Sequence, residues 1–401
     1  MNIFFSAGEP SGDAHGARLV RMLQDKRHNV ACVGFGGPKM AQAGCQLLHD
    51  MSPLALMFLL RVLFHLPTFF RLLRQANTYF REHRVDAVVL IDYPGFNWCI
   101  ARRAKRYGIP VFYYGAPQVW AWGTWRVRKL RRLVDYVLCQ LPFEPAWYAE
   151  RRCAACYVGH PFFEQDTEEP LDSAFLESND PQSKWIVLLP GSRRAEVESN
   201  AACFLQAAEI IRAQDPSITV AVACFNDEQA SLMKEQARQL QSEVAVYVGK
   251  TRELIHMAYA CVACSGSVSL QLLVARKPTV IYFHITRTLW LVKQLLMRVK
   301  YITLVNLFWT PDIRRRSWWS FDPDAADAEP VPMPEYLTTT PCPAKIAAHV
   351  VRWLDDPAAR WATVAALDQI AKQFAVSGAT QRAAEFIFRI LESDVGQRKA
   401  A

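Results

Sequence analysis

An aspartate at the end of a long apolar run is the first residue whose type and place could do chemistry. Asp92 follows Asp86–Ile91 (DAVVLI) and precedes Tyr93-Pro94-Gly95-Phe96-Asn97. A residue at the carboxyl end of a parallel strand points to where open α/β sheets bind ligands. Desolvation there raises a carboxyl pKa, which suits a general base. The plainer use of the same residue is an Asx turn that caps the next helix. A second acidic pair lies in Ala7-Gly8-Glu9-Pro10-Ser11-Gly12-Asp13, between a strand-like and a helix-like run. Two acids repel phosphate, so Glu9 and Asp13 point to sugar hydroxyls. Ser11 or Asp13 could alternatively serve as helix caps.

Two later loops carry the opposite chemistry. Pro190-Gly191-Ser192-Arg193-Arg194 follows the run WIVLL and opens a helix pattern. Backbone N–H groups, a hydroxyl and a guanidinium converge there on an anion. Cys264-Ser265-Gly266-Ser267 joins a strand to a helix in the same way. Two such loops in one sheet suit the two phosphates of a diphosphate. In Ala116-Pro117-Gln118-Val119-Trp120-Ala121-Trp122 the two tryptophans stand at alternate positions, which predicts a flat apolar wall with N–H donors. The basic run Arg126, Arg128, Lys129, Arg131 and Arg132 reads as a solvated helix face, with phosphate contact beside the rings as the alternative.

These residues need elements to position them, and the apolar patterning supplies two series. Strand-like runs at Asn2–Ala7, Asn29–Gly34, Asp86–Ile91, Pro110–Tyr114 and Val134–Gln140 alternate with helical patterns at Asp13–Gln24 and Phe96–Tyr107. Strands apolar throughout predict a parallel sheet covered on both faces. Phe163–Ser183 is acidic and broken by Pro170 and Pro181, and reads as a linker. A second series follows, with strands at Trp185–Leu189, Ile218–Ala223, Val244–Val248, Ala260–Cys264 and Thr279–Phe283. Helical patterns lie between them at Glu196–Ala213, Asp227–Leu240, Arg252–Ala258 and Ser267–Ala275. Phe321–Pro343 reads as a surface loop, and helices resume at Ala344–Leu354 and Gln381–Leu391. Two doubly wound units predict a two-lobed α/β protein with the cleft between lobes as the default site.

Composition bounds the partners. The chain has 401 residues, 51% of them apolar and 21% charged, which excludes a disordered chain, a fibre and a small disulfide scaffold. A formal charge of +8 favours an anionic partner. The basic runs lack any nucleic-acid-binding motif, so no nucleic acid is expected. Eleven cysteines and a strand-like N-terminus without a basic leader predict free thiols in a reducing compartment. The pairs Cys153/Cys156 and Cys261/Cys264 have no histidine at ligand spacing, and no metal is expected. No apolar stretch is long and unbroken enough to span a bilayer. Leu54–Leu73 comes nearest, interrupted by Arg61, His65, Pro67 and Arg71; it reads as an interfacial segment or a buried helix pair. Trp290–Tyr301 is a second segment of this kind, with Lys293 and Lys300 on one side.

Taken together, the motifs resemble the lipid-A-disaccharide synthase family over nearly the whole chain. The resemblance rests on Gly8-Glu9-x-Ser11-Gly12-Asp13, Gly37-Pro38-Lys39-Met40, Ile91-Asp92-x-Pro94, Pro117-x-Val119-Trp120-Ala121-Trp122 and Leu141-Pro142-Phe143-Glu144. It continues in order through Gly159-His160-Pro161, Leu189-Pro190-Gly191-Ser192-Arg193, Ser265-Gly266 and Leu304-Val305-Asn306-Leu307. It implies a GT-B glycosyltransferase: two Rossmann-like doubly wound parallel-sheet domains facing a cleft, with a C-terminal helix returning to the first. The implied division is an acceptor and membrane-docking domain over 1–165, a UDP-sugar domain over 166–375 and the returning helix over 376–401. The implied reaction is inverting and uses no cofactor or metal. It transfers 2,3-diacylglucosamine from its UDP donor to 2,3-diacylglucosamine 1-phosphate, giving the β-1,6 disaccharide and UDP at the cytoplasmic face of the inner membrane. On that reading Asp92 is the base, Glu9 is needed for activity and Asn306 contacts substrate. Ser192, Arg193, Ser265, Gly266, Ser267 and Gln271 hold the donor UDP. Ser11, Asp13, Trp120 and Trp122 complete the substrate site, and Leu54–Leu73 docks on the membrane. The chain departs from the family at Gly95, Gly123 and Gln271, where acid, Arg and Glu are usual. The alternatives are a related GT-B enzyme with another lipid acceptor and a non-catalytic lipid- or nucleotide-binding relative. The oligomeric state is left open, a homodimer among the options.

Overall fold

A computed structural model describes residues 1–52, 66–164, 170–180, 183–310, 312–314 and 321–400. The chain divides into two compact units, Met1–Gln165 with Val376–Ala401, and Asp166–Ala375. In the first unit the strands are β1 (Asn2–Ala7), β2 (Ala31–Gly36), β3 (Gln46–Asp50), β4 (Ala87–Ile91), β5 (Val111–Tyr114), β6 (Tyr136–Cys139) and β7 (Ala155–Tyr157). They form one sheet in the order β3-β2-β1-β4-β5-β6-β7, with every pairing parallel. The second unit has β8 (Trp185–Leu189), β9 (Thr219–Cys224), β10 (Ala245–Val248), β11 (Ala258–Cys264), β12 (Thr279–His284) and β13 (Glu335–Thr338), ordered β10-β9-β8-β11-β12-β13 and again parallel. Both orders run outward one way from the first strand and then reverse, which is the doubly wound Rossmann pattern with its switch point beside that strand. Strands β4, β5 and β8 are buried along their whole length, as sheets covered on both faces require.

Each sheet is covered by helices whose apolar face the sequence supplies. In the first unit Pro10–Lys26 buries Ala17, Leu19, Val20 and Leu23 against β1 and β2. The C-terminal helix Ala379–Ala400 places Ala383, Ala384, Ile387, Phe388 and Leu391 in that same core. Arg382 fixes its start by donating to the Val158 carbonyl at 2.7 Å. In the second unit Arg194–Gln214 and Pro343–Asp355 pack over the sheet through Phe204, Ala208, Ile211, Ile346 and Val350.

Several elements differ from the sequence reading. The expected loop over Phe321–Pro343 contains the edge strand β13, too short to show a period. Strands β3 and β7 and the long helix Pro357–Phe374 also carry no clear apolar alternation. The linker region holds a short helix, Ser173–Glu177, capped by the Asp172 side chain. Most of Leu54–Leu73 lies outside the described residues, which resume at the helix Leu66–Glu82. All eleven cysteines are free thiols, and among the described residues no cluster of His, Cys, Asp and Glu could hold a metal ion.

Candidate active site

Register brings the first acidic loop and Asp92 together. Ala7 pairs with Ile91, so the chains leaving β1 and β4 start side by side at the switch point. Asp92 and Tyr93 both take left-handed backbone, with φ of +45° and +44°. Such conformations cost about 1–3 kcal/mol each in non-glycine residues and persist only where neighbours hold them. Here the Asn97 amide donates to the Asp92 carbonyl at 2.7 Å, and the Tyr113 hydroxyl does so at 2.9 Å. Asn97 is completely buried; it also donates to the Ser6 and Ile91 carbonyls and accepts from the Ser6 hydroxyl at 2.6 Å. One amide therefore ties β1, β4 and the strained turn together. These bonds use the Asp92 carbonyl, whereas its carboxyl lines a cavity of about 380 Å³ shared with Glu9, Ser11, Gln118, Gln140 and His160. Burial first, and then the nearby Glu9 carboxylate, push the Asp92 carboxyl up to about 7. An acid poised there exchanges a proton near neutrality. Gly115, at the exit of β5, has φ of +66°, and a Cβ on it would stand 2.8 Å from Asp92 Oδ1. Only glycine lets that backbone approach the carboxyl so closely.

The loop after β1 divides its acids. Glu9 and Ser11 are exposed at the cavity. Asp13 is not available to a sugar. Its Oδ1 accepts from Gly37 N and Met40 N and its Oδ2 from Lys39 N, at 2.8–3.0 Å. It caps the next helix, Pro38–Gln42, where a carboxylate satisfies otherwise orphaned N–H groups. The tryptophans also differ from the expected wall. Trp120 is buried edge-on against Phe143 and donates its indole N–H to Glu144 at 2.8 Å. Trp122 is exposed with the Arg126 guanidinium 3.6 Å from its ring centre. At alternate positions of a strand both rings would share one side, but Val119–Ala121 form a turn.

Glu144 and His160 gained no site role from the sequence, although both sit in its motifs. Glu144 accepts from Trp120 and from the backbone N–H groups of Gln140 and Leu141, each near 2.9 Å. Burial pushes its carboxyl up to about 6 against those three donors. It braces the cavity wall after β6. His160 is driven down to about 4 by burial and then by His15, so both rings are neutral near pH 7.

In the second unit the same register logic applies. Leu189 pairs with Ala263, so the loops after β8 and β11 begin side by side at the switch point. The backbone amides of Ser192 and Arg193 are already engaged: both donate to Glu196 Oε2, at 3.0 and 3.1 Å. Gly191 has φ of +134°, and a Cβ there would stand 2.6 Å from the Glu196 Cβ, so the capping carboxylate fits only over glycine. The Arg193 guanidinium remains largely in solvent, beside Glu196 at 3.4 Å. The expectation that amides, hydroxyl and guanidinium all converge on an anion is thus corrected for the amides, which the Glu196 carboxylate already takes up. Gly266 and Ser267 are exposed, Ser265 is half-buried, and Gln271 lies half-buried on the following helix, Val268–Val274.

Asn306 is the other correction. It is completely buried and donates to the Met333 carbonyl at 2.7 Å and to Glu335 at 3.0 Å, while its oxygen accepts from Met333 N. Glu335 also accepts from Ile302 N and Thr303 N, and burial pushes its carboxyl up to about 7 in spite of these donors. Asn306 therefore braces two loops rather than touching substrate; a polar residue in an apolar helix gave no hint of which.

The family model described as lipid-A-disaccharide synthetase matches residues 3–315. The lipid-A-disaccharide synthase of Anaeromyxobacter dehalogenans is 33% identical over 392 residues, 97% of each chain. That of Geobacter sulfurreducens is 31% identical over 402 residues, 98% of each. Among solved structures, the calicheamicin glycosyltransferase CalG4 is 15% identical with a TM-score of 0.56 and 98% of each chain covered. The UDP-GlcNAc 2-epimerase of Neisseria meningitidis, bound to UDP-GlcNAc, is 9% identical with a TM-score of 0.59, covering 97% of this chain and 99% of that one. These structures share the pair of Rossmann-like sheets, the GT-B architecture. On sequence and on fold, this chain belongs to the lipid-A-disaccharide synthase family of glycosyltransferases.

Proposed function

We propose that Asp92 is the base of an inverting transfer of 2,3-diacylglucosamine from its UDP donor to 2,3-diacylglucosamine 1-phosphate. The half-buried carboxyl at the β1/β4 switch point, raised to about 7 beside a cavity, carries this reading. The acceptor's 6-hydroxyl gives its proton to Asp92 as its oxygen bonds to the anomeric carbon. The bond from that carbon to the diphosphate breaks on the opposite face, and UDP departs with the electron pair. Glu9 sustains the base by holding its affinity for the proton high, and Ser11 offers a hydroxyl to the sugar.

The second unit binds the nucleotide on this reading. Arg193 neutralises charge that grows on the leaving diphosphate, an interaction worth most at that moment. Ser192, Ser265 and Ser267 add hydroxyls, Gly266 leaves room for the phosphates, and Gln271 hydrogen-bonds the ribose. The Neisseria epimerase, which binds UDP-GlcNAc on the same architecture, supports a UDP-sugar here.

Both lipids stay in a bilayer, so the enzyme works at its surface, the cytoplasmic face of the inner membrane. No helix among the described residues is long and apolar enough to cross it. Helix Leu66–Glu82 buries Leu72, Leu73 and Ala76 while Leu66, Phe70, Arg71 and Arg74 face outward, which supports docking through the first unit. The test is incubation of purified protein with both lipids and separation of products. Disaccharide 1-phosphate and UDP in equal amounts are expected. UDP release without disaccharide, or no turnover, overturns the reading.

A further inference from the structure

The helix Arg287–Leu296 of the second unit is built inside out. Its buried residues are Lys293 and Gln294, at 9% and 6% exposure, whereas Leu289, Leu291, Val292 and Leu295 are 48–65% exposed. At 100° per residue, Leu291, Val292 and Leu295 fall within one stripe of the outer surface, with Leu289 at its margin. Burial of apolar surface normally decides which face of a helix turns inward. A helix that does the reverse has an apolar face left uncovered by the described residues of its unit.

The charges select what covers it. Arg287 precedes the stripe and Arg298 follows it, both exposed. No Asp or Glu occurs between Glu253 and Asp312. An apolar stripe between arginines complements an anionic lipid surface: leucines enter the acyl boundary and guanidinium groups meet phosphates. Four aliphatic side chains supply roughly a few hundred Å², short of the roughly 800 Å² per partner that a stable protein interface takes.

We propose that Arg287–Leu296 is a membrane-contact helix of the second unit, lying in the interface of an anionic bilayer. It is separate from the docking surface of the first unit and rests on no step of the reaction.

Vesicle co-sedimentation tests it, with phosphatidylethanolamine/phosphatidylglycerol vesicles set against phosphatidylcholine vesicles. The full chain is compared with Leu291→Ser/Leu295→Ser and with Arg287→Gln/Arg298→Gln. The leucine pair should lower partitioning onto anionic vesicles at least tenfold, with an unchanged melting temperature. The arginine pair, which disturbs no packing, should lower it on anionic vesicles and leave phosphatidylcholine partitioning unaltered. Synthesis from detergent-dispersed lipids should persist in both, which separates membrane contact from the chemistry. Unchanged partitioning in both variants overturns the proposal. So does a dimer of the parent chain that the leucine pair splits without loss of vesicle binding, because the stripe would then be covered by a second copy.

Discussion

At the scale of single residues, the molecule separates groups that act from groups that hold. Asp92 is half-buried beside Glu9, and desolvation together with that neighbouring charge raises its carboxyl to about 7. Asp92→Asn keeps the shape and removes the proton acceptor, so turnover should fall by about 10²–10⁴ with UDP affinity unchanged. A base works only when ionised, so wild-type turnover should rise with pH through about 7. Glu9→Gln removes one of the two causes of the raised pKa and should move that rise to lower pH; a pH–rate profile of each variant checks both. Arg193, exposed over the capping carboxylate, should contribute a charge-assisted contact to the diphosphate. Arg193→Ala is expected to weaken UDP binding about 10- to 150-fold by calorimetry.

Elements set where those residues stand. The strained turn at Asp92 and Tyr93 exists because Asn97, Tyr113 and Ser6 fasten it, and because the exit of β5 approaches at Gly115. Gly115→Ala places a methyl 2.8 Å from Asp92 Oδ1 on left-handed backbone. Misplacement on the ångström scale should lower kcat by about 10- to 100-fold, with UDP affinity retained. Asn306 performs a comparable fastening for the loops around Ile302 and Met333. Asn306→Ala leaves buried partners short of hydrogen bonds and should cost on the order of 1–3 kcal/mol in denaturant unfolding. A variant with parental stability but lost substrate affinity would return Asn306 to the substrate site. The motif around Asn306 was plain in the sequence; its role was not, because a fully buried amide and a ligand-binding amide look alike until their partners are known.

At the scale of the whole molecule, the chain leaves the first unit, builds the second, and returns. The core of the first unit is completed by Ala383, Ala384, Ile387, Phe388 and Leu391, more than 200 residues after β7. Ile387→Ala should destabilise that unit by about 2–5 kcal/mol. Unfolding followed by fluorescence should show an earlier transition, while UDP titration, which reads the second unit on the proposed assignment, should keep its affinity. The inverted helix Arg287–Leu296 belongs to this scale too, since its outer face makes sense only against a surface larger than the unit.

Parallel pairing and the two doubly wound sheets were legible because fully apolar strands alternating with amphipathic helices have one economical solution, a sheet covered on both faces. That solution alone puts Glu9 beside Asp92, and Ser192 and Arg193 beside Ser265–Ser267. The sequence by itself therefore determined the architecture, the family and the place of Asp92 at the end of its strand. Only the tertiary structure decided which polar residues were spent on the fold itself. Asp13, Trp120, Glu144 and Asn306 all carry the right chemistry for a ligand, yet each is saturated by partners between 3 and 29 residues away. A hydrogen bond takes its meaning from its partner, and partners distant in sequence are chosen by packing, not by spacing.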